Sequence, residues 1–286
     1  MSVIYGSLNV DEKYSGILEP NLFYDSVFVP GQTYTDQYEE GPAGGIYVHK
    51  LTSSAVTVGT PGRDFTDEAS ADTLLNVVLN NNYQKSKKIY GVQAEAVGFD
   101  LANEQLALAT SEVKESWNGS GLACLVNEGT TSSTKTAITN YTDALIDERK
   151  EIVSAKGKAD VVLCSPTFFA GLLKEAGDKF TPVRNDEVAA TGAMGTYMGM
   201  TIIECNSLAQ TSGKYYNNAG TLKTVAFGTV DFVMYNHMAL SIVNNLEAMR
   251  IVDSENFTGS KAQVEMNSGF LVTSAAQVRV RTTTAA

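Results

Sequence analysis

Among the chain's 286 residues stand only two histidines, His49 and His237, and three cysteines, Cys124, Cys164 and Cys205. General-base, thiolate and metal chemistry therefore have few side chains to draw on. His49 sits in a strand-like run and His237 follows an aromatic one, and neither has a nucleophile and carboxylate spaced to act with it. No two Cys or His have zinc-ligand spacing, and an odd set of distant cysteines makes no disulfide framework. Cys164 and Cys205 lie inside apolar runs, where a thiol behaves as a small, reduced hydrophobe. Three glycine motifs could cradle a phosphate or present a nucleophile, and each falls short. Ser212-Gly213-Lys214 lacks the earlier glycine of a P-loop. Gly192, Gly195 and Gly199 precede a strand-like run, whereas a dinucleotide turn follows one. Gly119-Ser120-Gly121 lacks the spacing of a nucleophile elbow. The expectation is a protein without catalytic, cofactor-binding or metal-binding residues, and not an enzyme.

The elements that would position any site come next. Hydrophobic residues make up 43% and charged residues 19% of the chain, a composition that folds. It has no apolar run long enough to span a membrane and no basic flank at Met1 for a signal peptide, so a cytosolic product is expected. In that setting the sequons at Asn118, Asn140 and Asn256 carry no weight. A net charge of −11 argues against gripping nucleic acid through its phosphates, which needs a basic face.

Residues 1–43 open a segment of unusual composition. Through residue 49 it holds one lysine against seven acidic residues, yet also eight aromatics. Glycine and proline interrupt its periodicity throughout, so ordering it costs backbone entropy that little regular structure offsets. It reads as an extended arm that gains order on a neighbouring subunit through Phe23, Tyr24, Phe28, Tyr34 and Tyr38; packing on its own domain is the alternative. Ile46 to Val58 reads as a strand and Leu74 to Leu79 as its return, with a polar tip holding Arg63, Asp64, Asp67 and Glu68. A long hairpin with so polar a tip has little core of its own, which again implicates another chain. The cluster Lys85, Lys87 and Lys88 follows, as either a solvated face or one side of an intersubunit salt bridge.

From about residue 95 to 126, Phe99, Ala102, Leu106, Ala109, Val113 and Trp117 recur at helical spacing. Asn118 to Gly121 is expected to loosen, kink or end that helix. Glu128 to Lys135 reads as a linker, and a second amphipathic helix runs from Ile138 to Val153. Val161 to Cys164 is a buried strand, and Ser165-Pro166 caps and starts a helix. A mobile glycine-spaced loop to Gly199 leads to a return strand, Thr201 to Cys205, and Asn206-Ser207-Leu208. Beyond the loop from Gly213 to Gly220 come short strands at 225–227, 232–235, 239–243, 249–252, 264–266, 270–272 and 278–281.

Strand, Ser-Pro helix start, Gly-x-x-x-Gly loop, strand and Ser/Asn-x-Leu, in that order, resemble the axial domain of the major capsid proteins of tailed bacteriophages. The family has the Hong Kong 97 fold. The resemblance spans nearly the whole chain as a succession of elements. It implies an α+β fold with an N-terminal arm (1–43), a first peripheral part (44–135) with an extended loop (52–82) and a spine helix (95–126), an axial domain (136–233) and a second peripheral part (234–286). It implies self-assembly into pentamers and hexamers of an icosahedral head enclosing double-stranded DNA without sequence-specific binding. The expected location is the virion, assembled in the host cytoplasm. Gly192 and Gly195 would lie in the axial loop at the capsomer centre. Portal and decoration proteins are implied partners, and the arm's closeness to Met1 implies a separate scaffolding protein, or none. Some shells of this family join subunits through a Lys–Asn isopeptide bond assisted by a Glu. The groups here would be Lys85, Lys87 or Lys88, with Asn244, Asn245 or Asn267 and Glu247 or Glu265, although the lysines fall beyond the loop tip. Encapsulins, nanocompartment shells that enclose enzymes, resemble the same fold and are the alternative. A soluble α/β enzyme is the third.

Overall fold

The structure, a computed structural model, describes residues 27–37, 39–40, 46–52, 71–96, 100–133, 136–176 and 193–283. The elements in chain order are β1 (Glu39–Glu40), β2 (Ile46–Thr52), β3 (Ala71–Val77), β4 (Asn81–Tyr90), α1 (Gly91–Ala96), α2 (Leu101–Glu128), β5 (Thr130–Thr131), α3 (Tyr141–Ser154), β6 (Val161–Cys164), α4 (Pro166–Ala176), β7 (Ala193–Tyr197), β8 (Met200–Glu204), β9 (Ser212–Tyr216), β10 (Leu222–Ala226), β11 (Val230–Tyr235), β12 (Leu240–Asp253), β13 (Gly259–Val272) and β14 (Val278–Thr282). The mixture of helix and sheet is the α+β class expected.

The helix α2 is the axis of the molecule. Asp100 caps it, its carboxylate accepting from the backbone N–H groups of Ala102 and Asn103 at 3.2 Å each. Its first half buries one stripe, Leu101, Ala109, Val113 and Trp117; from Trp117 to Leu125 every residue is buried. That change of pattern explains the glycines. Gly119 and Gly121 do not break the helix, which runs unbroken for 28 residues, because surrounding elements close on its backbone there. A Cβ at Gly121 would stand 2.7 Å from the Phe28 ring, and Ser120 Oγ donates to the Lys214 carbonyl of β9 at 2.7 Å.

On one side of α2 lies the antiparallel sheet β12-β13-β4. The stretches at 239–243 and 249–252 belong to one 14-residue strand, with a bulge between Asn245 and Glu247, and those at 264–266 and 270–272 belong to another. The basic cluster after the hairpin lies inside the ten-residue strand β4. Its lysines hid it: Lys is a poor strand former, and pairing with β13 overrides that preference.

On the other side is a six-stranded sheet in the order β5-β14-β11-β6-β8-β7, with β6/β8 and β5/β14 parallel and the rest antiparallel. Both its faces are buried, which is why its central strands read as continuous apolar runs. Val162, Cys164, Ile202, Phe232 and Met234 meet α3 and α4 through Leu145, Ile152, Phe168, Phe169 and Leu172. Val161, Leu163, Ile203, Val233 and Tyr235 face the larger core around α2. Ser165 Oγ accepts from the Phe168 N–H at 3.3 Å, the cap the sequence announced at Pro166. The hairpin β9-β10 occupies part of what reads as the loop from Gly213 to Gly220.

A division at 233/234 cuts through β11, and the final strand β14 joins the six-stranded sheet beside β11, not the sheet on α2. Glu148 of α3, 3% exposed, locks that arrangement by meeting Arg279 at 3.0 Å and Arg281 at 3.7 Å. The register of long-range pairing decides this, and the apolar alternation of β14 suits either sheet.

Candidate functional site

The residues expected to meet other subunits fall into three groups. In the arm, Phe23, Tyr24 and Tyr38 lie outside the described residues, as do Arg63, Asp64, Asp67 and Glu68 of the hairpin tip and Gly192. Phe28 and Tyr34 are described, and they pack on their own chain instead. Their rings meet Trp117 edge-on, with centroids 5.7 and 6.5 Å away, and they are 3% and 4% exposed. Thr33 Oγ1 closes the local turn by accepting from the Val29 N–H at 2.7 Å. Thr35 ties the segment to β12, donating its N–H to the Leu240 carbonyl at 2.9 Å and accepting from the Ile242 N–H at 3.3 Å. Burial first, then the Asp36 charge, pushes the Tyr34 phenol up to about 12. Residues 27–37 thus form a strap over their own chain. Beside the strap, Thr35, Gln37, Tyr47, Lys50, Met238 and Thr273 line a groove of about 820 Å³.

The basic cluster is divided by the pleat of β4. Lys85 and Lys87 point towards α2 and converge on Glu112 at 2.8 and 2.7 Å. Burial raises the Glu112 carboxyl, and the two ammonium groups outweigh that and hold it below its ordinary value. Lys88 points to the opposite face. Its Cα partner is Lys261, and both ammonium groups sit 5.9 Å from the centroid of Phe257. Tyr90 packs against the same ring at a tilt of 53°, with centroids 5.0 Å apart. Glu112, Lys261 and Phe257 had no signal in sequence, since each meets the cluster only through pairing or packing across the fold.

The groups named for a cross-link also lie on this sheet. Asn244 Oδ1 accepts from the Trp117 indole at 3.1 Å, and Glu265 accepts from Gln84 at 2.9 Å and Asn82 at 3.2 Å. Those hydrogen bonds lower the Glu265 carboxyl. Asn245 and Asn267 are register partners. Lys85 and Lys87 are engaged with Glu112 within the chain.

Gly195 lies in the edge strand β7, next to a bulge against β8, so part of the expected axial loop is sheet. Met198 and Gly199, with φ of 54° and 76°, make the tight turn between β7 and β8. His237 Nδ1 is 3.0 Å from Asp160 Oδ2, within hydrogen-bond distance, and Lys158 pairs with the same carboxylate at 2.9 Å at the end of the six-stranded sheet. Cys124, Cys164 and Cys205 are free and buried. Burial raises all three thiols, Cys205 to about 11 despite hydrogen bonds from Leu208 and Ser207, so they are neutral and unreactive. Among the described residues no group of His, Cys, Asp and Glu could hold a metal ion, and no helix is long and apolar enough to cross a membrane.

No family model matches the chain, and no curated protein matches it in sequence. Solved structures do match. A structure of Mycobacterium phage Che8 is 19% identical, with 98% of each chain covered and a TM-score of 0.66. The capsid structure of the cyanophage P-SCSP1u is 12% identical, covering 96% of this chain and 93% of that one, with a TM-score of 0.68. The mature capsid of bacteriophage PhiM1 is 14% identical, covering 96% and 92%, with a TM-score of 0.63. At such identities the likeness establishes the fold, and it is the fold of phage capsid chains from end to end.

Proposed function

We propose that this chain is the major capsid protein of a tailed bacteriophage, with the Hong Kong 97 fold. It builds pentamers and hexamers of an icosahedral head that encloses double-stranded DNA. The observation that carries the reading is the likeness to capsid chains over 96% of the chain's length. A shared element would not distinguish a shell subunit from an α/β enzyme; a shared whole chain does. In this reading α2 is the spine helix, β2 and β3 are the base of the extended loop, and β6 to β8 belong to the axial part. The acidic balance suits a container that confines DNA without gripping its phosphates. The protein's place is the virion, after assembly in the host cytoplasm, with a portal and, where present, scaffolding and decoration proteins as partners.

Size-exclusion chromatography followed by negative-stain microscopy of the purified protein tests this. Capsomer rings or megadalton shells are expected, through heterologous contacts that close. A monomer at all concentrations would sink the reading, and particles packed with an enzyme and free of DNA would move it to an encapsulin.

A further inference from the structure

The C-terminal end of α2 carries the wrong charge for a helix end. Aligned peptide dipoles place about half a negative elementary charge there, which a lysine or arginine in the last turn ordinarily offsets. α2 has no basic residue in its last turn and closes on a carboxylate, Glu128. Glu128 Oε1 is engaged, accepting from the Tyr215 hydroxyl at 2.7 Å and from Asn127 Nδ2 at 2.9 Å. Among the described residues Oε2 has no hydrogen-bond partner, and no lysine, arginine or histidine pairs with the carboxylate. Lys223, the register partner of Tyr215, makes no ion pair with it.

Beside the carboxylate is a pocket of about 190 Å³ lined by Cys124, Glu128, Tyr215, Asn218, Phe270 and Val272. Its walls are fixed. Tyr215 and Phe270 are 1% and 2% exposed. Asn218 Oδ1 accepts from the Val78 N–H at 3.4 Å, and Asn218 Nδ2 donates to the Asn76 carbonyl at 2.9 Å. Burial first, then the hydrogen bond to Glu128, raises the Tyr215 phenol, so it remains a neutral donor that orients the carboxylate without adding charge.

We infer that this pocket binds a single alkylammonium or guanidinium group, held by Glu128 Oε2 at the negative end of α2. The carboxylate and the helix dipole select a cation, and the aromatic walls suit one that carries a hydrocarbon stem. The volume takes a head group and its stem and excludes a nucleotide. Such a group comes from a free amine or from a lysine or arginine of a second copy, with the same chemistry in either case.

Agmatine, which carries both head groups, is the probe, titrated calorimetrically into unassembled subunits at an ionic strength held constant with sodium chloride. Saturable binding of one equivalent is expected. Glu128 is exposed and glutamine is isosteric with it, so Glu128→Gln keeps the circular dichroism spectrum and thermal midpoint of wild type. Its binding is weaker by on the order of tenfold, the worth of one hydrogen bond to a charged group. Glu104→Gln, at the other end of the same helix, binds as wild type does. Amine analysis of acid-extracted particles, wild type against Glu128→Gln, detects a free amine as the source. Carbodiimide coupling of Glu128 to a lysine, in particles built from mixed isotope-labelled subunits, detects the second copy; either result supports the site. Equal binding by wild type and Glu128→Gln would overturn the inference, and so would no saturable binding at millimolar agmatine. A Lys223→Met variant that binds tenfold more tightly than wild type would also overturn it, since the chain would then supply its own cation. The titration needs no assembly, so its failure leaves the shell reading standing, and a wild type that never assembles leaves the pocket untouched.

Discussion

Glu112 shows how a residue type that is common in sequence acquires a particular task in the fold. On the exposed flank of an amphipathic helix it reads as one more solvating charge, yet it neutralises two lysines that β4 carries towards α2. Replacing it by glutamine leaves both ammonium groups without a counter-charge at a partly covered interface. The loss expected is about 1 kcal/mol, the upper end for pairs that still reach water. The pH dependence has a definite sign. The folded carboxyl lies below the ordinary 4.5, so its contribution is complete above that value and disappears as pH falls through the folded pKa. Urea titrations of wild type and Glu112→Gln should therefore converge as pH falls through the lowered pKa of the folded carboxyl, and a gap that persists undiminished in acid would refute the assignment. None of this was legible beforehand, because the partners are 25 and 27 residues away in strand and helix of different sequence pattern. By contrast Cys164 and Cys205 were legible as buried, since each closes an apolar strand run, Val161 to Cys164 and Thr201 to Cys205.

At the scale of elements, α2 separates what sequence discloses from what it hides. Its apolar stripe from Leu101 to Trp117 follows the helical period, and so was readable. The continuation through Asn118-Gly119-Ser120-Gly121 was not, because intrinsic propensity opposes it and only tertiary packing favours it. The same held for β4, whose lysines disguise a paired strand, and for β14, whose sheet is chosen by register. Local preference and packing can be separated at the two glycines. At Gly119 an added Cβ meets nothing within 4 Å, so Gly119→Ala should stabilise by about 0.5–1 kcal/mol through helix propensity alone. At Gly121 the Cβ would fall 2.7 Å from Phe28 and 3.2 Å from Phe270. There, overpacking of about 1–3 kcal/mol exceeds the propensity gain, so Gly121→Ala should destabilise. Chemical denaturation of the two variants should show opposite signs two residues apart, and equal signs would mean that the strap does not press on this turn.

At the scale of the molecule, the order of elements was readable while the way they share a core was not. A succession of arm, hairpin, helix and strand–helix–strand unit was enough to suggest a shell subunit with peripheral and axial parts. In the structure the elements are joined by one apolar cluster, which takes Phe28 and Tyr34 from the strap, Trp117 and Leu125 from α2, Leu163, Val233 and Val280 from the six-stranded sheet, and Ile242, Val264 and Phe270 from the other sheet. A core that takes residues from the strap, α2 and both sheets cannot lose one of them without exposing the faces of the rest, so the two sheets should unfold as a single cooperative unit. The chain's single tryptophan, Trp117, stands where strap, helix and sheet meet, with Phe28, Tyr34 and Phe270 rings around it. Its fluorescence reports that junction, while far-ultraviolet circular dichroism reports all the strands and helices. Followed together through urea, the two signals should trace the same midpoint and slope on disassembled subunits. If the tryptophan signal were lost at lower urea than the circular dichroism, the strap and spine would be separable from the six-stranded sheet, and the subunit would be two bodies joined by a hinge. Coincidence is what a shell requires of its building block, since strain at a contact on one edge must reach the others through a body that does not give way inside.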